Sequence, residues 1–316
     1  MRVLVTGATG FVGGRLVPAL TDAGHEVRAL VRDPSAYDPP PGVEVVQGDL
    51  LEPGTLAPAF EGIEAAYYLV HSMRAGDDFE ERDRSAASNF AAVASDAGVD
   101  RVVYLGGLGE DGDDLSPHLR SRREVEMILA DADYELTTLR AAVIVGDGSA
   151  SFRMVRQLVR RLPLMVTPRW VTNECQPIAV DDVVAYLVGV LDAPATAGET
   201  YGIGGPDVLT YREMLARTAE AMGRWRPLIV PVPVLTPKLS SYWIGLVTDV
   251  PTAVARPLVL GLKNPVVVTD DAIRDHVPVE LTPFDDAVRK ALAPEAETPA
   301  PAPGGRPAAE ERGGRS

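Results

Sequence analysis

Lysine is nearly missing from this chain. Of its 30 basic residues 27 are arginine, and Lys238, Lys263 and Lys290 are the exceptions. Cysteine is scarcer still, with Cys175 alone among 316 residues. A single thiol excludes a disulfide framework and a multi-cysteine metal site, and it fits a reducing cytoplasm. Glu174 beside it should raise the thiol pKa, which argues against a nucleophile. The four histidines, His25, His71, His118 and His276, are scattered, and no serine sits in a Gly-x-Ser-x-Gly elbow. A zinc site or a hydrolase triad therefore has no support, and no metal is expected. Long apolar runs are absent too: the longest stretch without Asp, Glu, Lys or Arg is the 12 residues from Val3 to Gly14. That is too short to cross a bilayer as a helix. The amino terminus shows no signal-peptide pattern, so the expected location is cytoplasmic. Net positive charge is also lacking. With 45 acids the chain carries -15, and nucleic acid would be repelled rather than steered in.

The first half alternates short β-branched runs with helix-period segments. Val3 to Val5, Val27 to Val31, Val43 to Val46, Ala65 to Val70, Val102 to Leu105 and Leu136 to Val145 read as buried strands. Phe11 to Ala23, Pro53 to Glu61, Asp77 to Ala97 and Pro117 to Ala130 read as helices between them. That rhythm predicts an α/β fold, a doubly wound parallel sheet with helices on both faces. After Gly148 the rhythm changes, so residues 1–150 are expected to form the sheet domain and 151–292 a smaller C-terminal substrate lobe. Pro177 to Val180 with Asp181 to Leu191 reads as a strand–helix unit, and 176–204 is expected to return to the sheet domain. Thr200 to Ile203 is a further strand and Tyr211 to Met222 a further helix. Residues 293–316 are Ala, Pro, Gly, Glu and Arg without apolar period, and are expected to be disordered.

Thr6-Gly7-Ala8-Thr9-Gly10-Phe11-Val12-Gly13 follows the first strand and opens the first helix. Gly7 and Gly10 allow a tight turn and a close backbone approach to a pyrophosphate. Gly13 allows tight packing of the helix, whose free N–H groups and dipole favour phosphate. The strand–turn–helix context raises this above a chance glycine triplet.

The Gly-x-x-Gly-x-x-Gly spacing resembles the short-chain dehydrogenase/reductase superfamily, in its extended and atypical branches, over most of residues 1 to 222. The resemblance implies a Rossmann fold and a nicotinamide dinucleotide held by Gly7, Thr9, Gly10, Phe11, Val12 and Gly13. Gly48-Asp49-Leu50 looks like the family's adenine-contacting turn, and Leu69-Val70-His71-Ser72 like the strand end that passes the cofactor. Asn89, Leu139-Arg140 and Pro177 to Val183 also fall where the family has similar residues. At the end of the second strand, Arg32 stands where a 2′-phosphate would be met, which favours NADP(H) over NAD(H). The other reading makes Asp33 the ribose ligand and leaves Arg32 in solvent.

Typical members transfer hydride with a Tyr-x-x-x-Lys pair and an upstream serine. Here Tyr is replaced by His118, Lys by Arg122, and the serine by Gly106 or Gly107. His118 and Arg122 are four residues apart and share a helix face. An imidazole titrating near neutrality suits acid/base work. Arg122 can hold a ribose but does not tune its pKa as Lys does. The other reading has His118 capping a helix and Arg122 solvated. His71 sits where ligands of open α/β sheets collect, as a carbonyl polariser or as a packing residue. This incomplete set resembles the atypical branch with its NmrA-like sensors and the accessory subunit of respiratory complex I.

Three smaller features carry alternatives. Glu110 to Asp114 lacks the spacing of a calcium loop and reads as solvated. Asp181-Asp182 reads as a helix cap rather than a catalytic pair. In the apolar stretch 227–262, with Trp225 before it, Tyr242, Trp243, Ile244, Leu246 and Val247 either line a lipophilic pocket or form a peripheral membrane or protein-partner surface, or are ordinary core. Arg169 and Trp170 are candidates for the substrate crevice. The expectation is an NADPH-dependent oxidoreductase acting on a bulky apolar carbonyl or quinone-like substrate. The alternative is a non-catalytic nucleotide-binding sensor or accessory subunit. A sugar-nucleotide epimerase or dehydratase comes third, since it should keep the Tyr and Lys.

Overall fold

A computed structural model describes residues 1–72, 78–109, 116–232, 249, 261–262 and 265–293, with 169–170 and 231–232 described in backbone alone. The Glu110 to Asp114 loop, the aromatic cluster Tyr242 to Val247 and the tail 294–316 lie outside the described residues.

The apolar runs assemble into one seven-stranded parallel sheet. Its order is β3 (Glu44–Gln47), β2 (Glu26–Val31), β1 (Arg2–Thr6), β4 (Ala65–Tyr68), β5 (Arg101–Gly107), β6 (Glu135–Ala141) and β11 (Thr200–Ile203). Successive residues of each strand point to opposite faces, and helices cover both. On one face Val3, Val5, Tyr67, Val103 and Leu139 meet Leu16, Val17 and Leu20 of α1 (Gly13–Asp22) and Val183, Leu187 and Val190 of α6 (Val180–Asp192). On the other, Leu4, Ala66, Tyr68, Val102 and Tyr104 meet Phe60 of α2 (Ala57–Phe60), Phe90 of α3 (Phe79–Asp96) and Leu129 of α4 (Pro117–Ala130). This is the Rossmann architecture expected from the sequence. Its chain order reverses between β1 and β4, which is where such sheets bind ligands.

A third core closes the smaller lobe. Phe152 and Leu158 of α5 (Ala150–Arg161), Met165 of β8 (Leu164–Pro168) and Cys175 of β9 (Glu174–Cys175) pack together. Tyr211, Met214 and Leu215 of α7 (Tyr211–Ala221), Ile229 of β13 (Leu228–Val232) and Phe284 and Val288 of α9 (Phe284–Leu292) complete it. β8 pairs with β13 in parallel, and β9 pairs antiparallel with β12 (Leu209–Thr210). α8 (Ala272–His276) turns Ile273 into the α1–α6 face.

Three expectations change. The single strand Leu136 to Val145 is two: β6 ends at Ala141, and β7 (Ile144–Val145) leaves the sheet to pair with β10 (Ile178–Ala179). The break lets Ala142, Val143 and Ile144 cross over the ligand cavity. The strand at 178–179 therefore does not enter the main sheet; β11 does, and α6 packs on one of its faces. Nor do Asp181 and Asp182 cap α6, whose N-cap is Ala179. Asp182 is buried and accepts from Thr282 N–H and Oγ1, both at 2.8 Å, while Asp181 pairs with Lys290. No helix among the described residues is long and apolar enough to cross a membrane.

Candidate functional site

One cavity of about 1830 Å³ runs along the carboxyl ends of β1, β2, β4 and β5 and on beneath the smaller lobe. At its centre Thr6 joins the two strands that flank the switch point. Its Oγ1 donates to Tyr67 O at 2.9 Å and accepts from Leu69 N–H at 3.3 Å. Gly7 then turns with φ +73°, and a Cβ there would stand 2.9 Å from Leu69 O. A Cβ on Gly13 would lie 2.1 Å from Gly7 O, a distance no side chain tolerates. The glycine pair thus lets the start of α1 press onto its own turn. α1 has no side-chain cap and no acid in its first turn. Phe11, Val12 and Gly13 donate to no backbone carbonyl among the described residues, so N–H groups and dipole face the cavity. A cradle closed to Cβ atoms and rich in unused donors fits a pyrophosphate. Arg15 braces it, donating to Phe11 O at 2.8 Å and Asp147 O at 2.9 Å, with its guanidinium 4.8 Å from the Phe11 ring centroid.

The neighbouring wall is built the same way. Gly48 leaves no room for a Cβ between Leu30 and Thr55. The Asp49 carboxylate accepts Leu51 N–H at 3.0 Å, and Asn89 Nδ2 donates to Leu50 O at 2.7 Å, which fixes the turn against α3. Arg32 is exposed and lines the cavity. Asp33 does not line it. Its carboxylate accepts from Ser35 N–H at 3.0 Å and Ser35 Oγ at 2.6 Å, bonds that also hold its pKa below the usual carboxylate range.

Further along the cavity, His71, His118 and Arg122 come together. The two imidazole centroids are 6.3 Å apart, and all three side chains line the cavity. The helix start at α4 is capped by Ser116, whose Oγ accepts Leu119 N–H, so His118 is not the cap. Burial holds the His118 pKa well below its ordinary value, and the Arg122 guanidinium and His71 add to the effect. Arg122 is half-buried rather than solvated, with Nη1 donating to Leu105 O at 2.9 Å. The missing serine has a packing counterpart: a Cβ on Gly107 would meet Leu119 at 2.8 Å and Arg122 at 3.4 Å. Side chains of α4 fill that space. Asp83, which no motif in the sequence marks, is buried beneath this end. It accepts from Ser72 N–H at 2.6 Å and Ser121 Oγ at 3.1 Å, and burial raises its pKa. Arg140 turns away from the cavity to pair with Glu126 at 3.1 Å.

The far end is apolar. Met154, Val155, Leu158, Met165, Val171, Met214, Leu215, Leu262 and Val266 line it, and Arg153 enters the same wall. Trp225 does not line the cavity, and the side chains of Arg169 and Trp170 lie outside the described residues. The thiol of Cys175 is fully buried and pushed up to about 11 by that burial, which replaces its acidic neighbour as the cause. Neither α5 nor Arg153 is among the elements expected from the sequence. The Phe152, Val155, Val159 spacing of an amphipathic helix would have found the first.

Comparison with known proteins agrees with this geometry. Residues 7–160 match a family model described as NAD(P)H-binding. The chain is 31% identical to (4-alkanoyl-5-oxo-2,5-dihydrofuran-3-yl)methyl phosphate reductase of Streptomyces griseus, over 70% of this chain and 74% of that protein. It is 26% identical to a mitochondrial NADH dehydrogenase [ubiquinone] 1 alpha subcomplex subunit 9 of Arabidopsis thaliana, over 85% and 70%. In fold it is similar to the Citrobacter triphenylmethane reductase crystallised with NADP(H), with a TM-score of 0.74, 22% identity, and 92% and 100% of the two chains covered.

Proposed function

The chain belongs to the atypical, NAD(P)-binding branch of the short-chain dehydrogenase/reductases, and on that premise we propose that it is an NADPH-dependent reductase of a bulky apolar carbonyl or quinone-like compound. The observation that carries this reading is the continuity of the cavity. A phosphate cradle, a His–Arg pair and an apolar wall share one space, whose volume exceeds the ~300–1,000 Å³ of ordinary ligand pockets and suits a dinucleotide with a second molecule. The names of two relatives support a bulky acceptor: one reduces an alkanoyl-substituted dihydrofuranyl methyl phosphate and the other is a triphenylmethane reductase.

In this reading Gly7, Thr9, Gly10, Phe11, Val12 and Gly13 hold the pyrophosphate, and Asp49, Leu50, Leu69 and Val70 flank the nucleoside portions. Arg32 meets a 2′-phosphate, which favours NADP(H), because Asp33 is already engaged by Ser35. The dinucleotide, when bound, supplies the hydride. His118, held neutral at pH 7 by burial, donates a hydrogen bond from its imidazole N–H to the acceptor oxygen as negative charge develops there. Arg122 adds positive charge beside it. His71, more exposed, passes the proton from solvent that completes the alcohol or hydroquinone. Residues 1–150 with 176–204 carry the nucleotide side, and the rest of 151–292 the acceptor side. A cytoplasmic location belongs to the same reading.

The test is to identify the nucleotide that copurifies and follow NADPH oxidation against quinones and ketones. Turnover that falls about 100-fold or more in His118→Ala, with nucleotide affinity retained, is expected. A second reading, the accessory subunit, is favoured by the space that Leu119 and Arg122 take from the serine position. Tight nucleotide binding, no turnover on any acceptor and a copurifying partner would establish it instead.

A further inference from the structure

The parallel pair β8–β13 is apolar on both of its faces. Met165 and Ile229 point into the lobe core. On the other face Leu164 stands beside Leu228 and Val166 beside Val230, in register across the two strands. These four side chains are 52%, 63%, 48% and 41% exposed, and Trp225, three residues before β13, is 97% exposed. Soluble surfaces seldom gather such a row. Two of its members, Leu164 and Val166, also line the cavity, so the row is the lip of the acceptor end.

Charge around this lip runs against the rest of the molecule. From Gly148 to Asn173, 26 residues hold five arginines and no acid, in a chain of net charge -15. Arg153 lines the cavity and Arg156 pairs with Asp147, which leaves Arg160 and Arg161, among the described side chains, for the lip. Arg160 and Arg161 close α5 directly before β8, and Arg224 and Arg226 flank Trp225 directly before β13. Arg224 Nη2 donates to Arg160 O at 2.8 Å, which draws the two basic ends together. Arg161 pairs with Asp249 and Arg226 with Glu220, whereas Arg160 and Arg224 meet no acid among the described residues. Aliphatic side chains, an exposed tryptophan and arginines with long apolar stems form the pattern that lies at a lipid headgroup boundary.

We propose that this face seats the protein on a membrane surface bearing anionic lipid headgroups, with the cavity lip against the bilayer. An acceptor dissolved in the bilayer would then reach the apolar end without crossing water; that consequence, unlike the docking itself, rests on the function proposed above.

The experiment is flotation of the full chain with vesicles of phosphatidylcholine, pure or doped with phosphatidylglycerol. Binding to the doped vesicles should exceed binding to the pure ones several-fold and fall as salt rises. Arg160→Gln should weaken it about five-fold, in line with the ~1 kcal/mol of one basic residue at an anionic surface. Trp225→Ser with Leu228→Ser should abolish it; neither side chain lines the cavity, and nucleotide affinity should stay unchanged. Absence of flotation, or flotation indifferent to these substitutions, overturns the proposal. So does sedimentation showing a dimer that the same substitutions dissociate, because a second copy would then own the face. Nucleotide titration of the same samples separates the two readings: retained binding without flotation removes the docking alone, and flotation without nucleotide binding removes the function alone.

Discussion

The two ends of the cavity are built by different means. At the nucleotide end the walls are backbone: Gly7, Gly13 and Gly48 are fixed by what a Cβ would strike, and the donors are main-chain N–H groups. At the apolar end the walls are side chains, contributed by α5 and β8, which are consecutive, and by α7, about 40 residues on. Backbone walls tolerate almost no substitution and accept one kind of ligand. Side-chain walls exchange volume for volume, so the shape of that end can change while the nucleotide site stays as it is.

The sharpest way to break this contrast is Gly13→Ala. The added Cβ would fall 2.1 Å from Gly7 O, and overpacking there should cost on the order of 3 kcal/mol, seen as a lower Tm and loss of NADPH binding by fluorescence titration. If this variant binds normally, the backbone account of the cradle is wrong. Arg32→Ala should weaken NADPH by about ten- to a hundred-fold, the worth of a charged hydrogen bond, and leave NADH untouched; calorimetry with both nucleotides decides. At the other end, Val155→Phe narrows the apolar wall. It should raise KM for a bulky acceptor about ten-fold without moving the NADPH dissociation constant. An equal loss on both would erase the distinction between the ends.

A smaller effect sits between them. His118 is depressed in the folded protein, while in the unfolded chain it titrates at about 6.5. Above that pH it is neutral in both states and contributes no pH dependence. Below it, the unfolded chain takes up a proton that the folded protein refuses, so stability falls by up to about 1.4 kcal/mol per pH unit until the folded value is reached. Urea unfolding at pH 7 and pH 5 should show this slope, and His118→Asn should flatten it, leaving the weaker share of His25, which burial also lowers.

How legible each end was in the sequence follows from the same contrast. Steric exclusion leaves a direct trace, since little besides a phosphate-binding turn calls for glycine at 7, 10 and 13 after a β-branched run. The main sheet was equally plain, because parallel strands buried on both faces read as unbroken apolar runs. His71, His118 and Arg122 stood out by their spacing and strand-end positions, but capping by His118 and a solvated Arg122 were just as compatible with the sequence. Ser116 does the capping, and no local rule placed Arg122 beneath Leu105. The apolar end left fainter marks. β8 and β13 pair across about 60 residues of chain, and parallel pairing at that separation has no turn to announce it. Asp182 looked like a cap because it opens a helix, yet its partner Thr282 lies 100 residues on.

The sheet's return path also sets a schedule. α1 ends at Asp22, but α6, which packs against it, begins at Val180. A ribosome making about 5–20 residues per second needs roughly 8 to 30 s to supply the ~160 residues between them. Throughout that interval the nascent chain carries the glycine turn at one end of a helix whose α6-facing side is still bare. Binding of nucleotide to the growing chain, or a chaperone on that side, would therefore act before α6 exists.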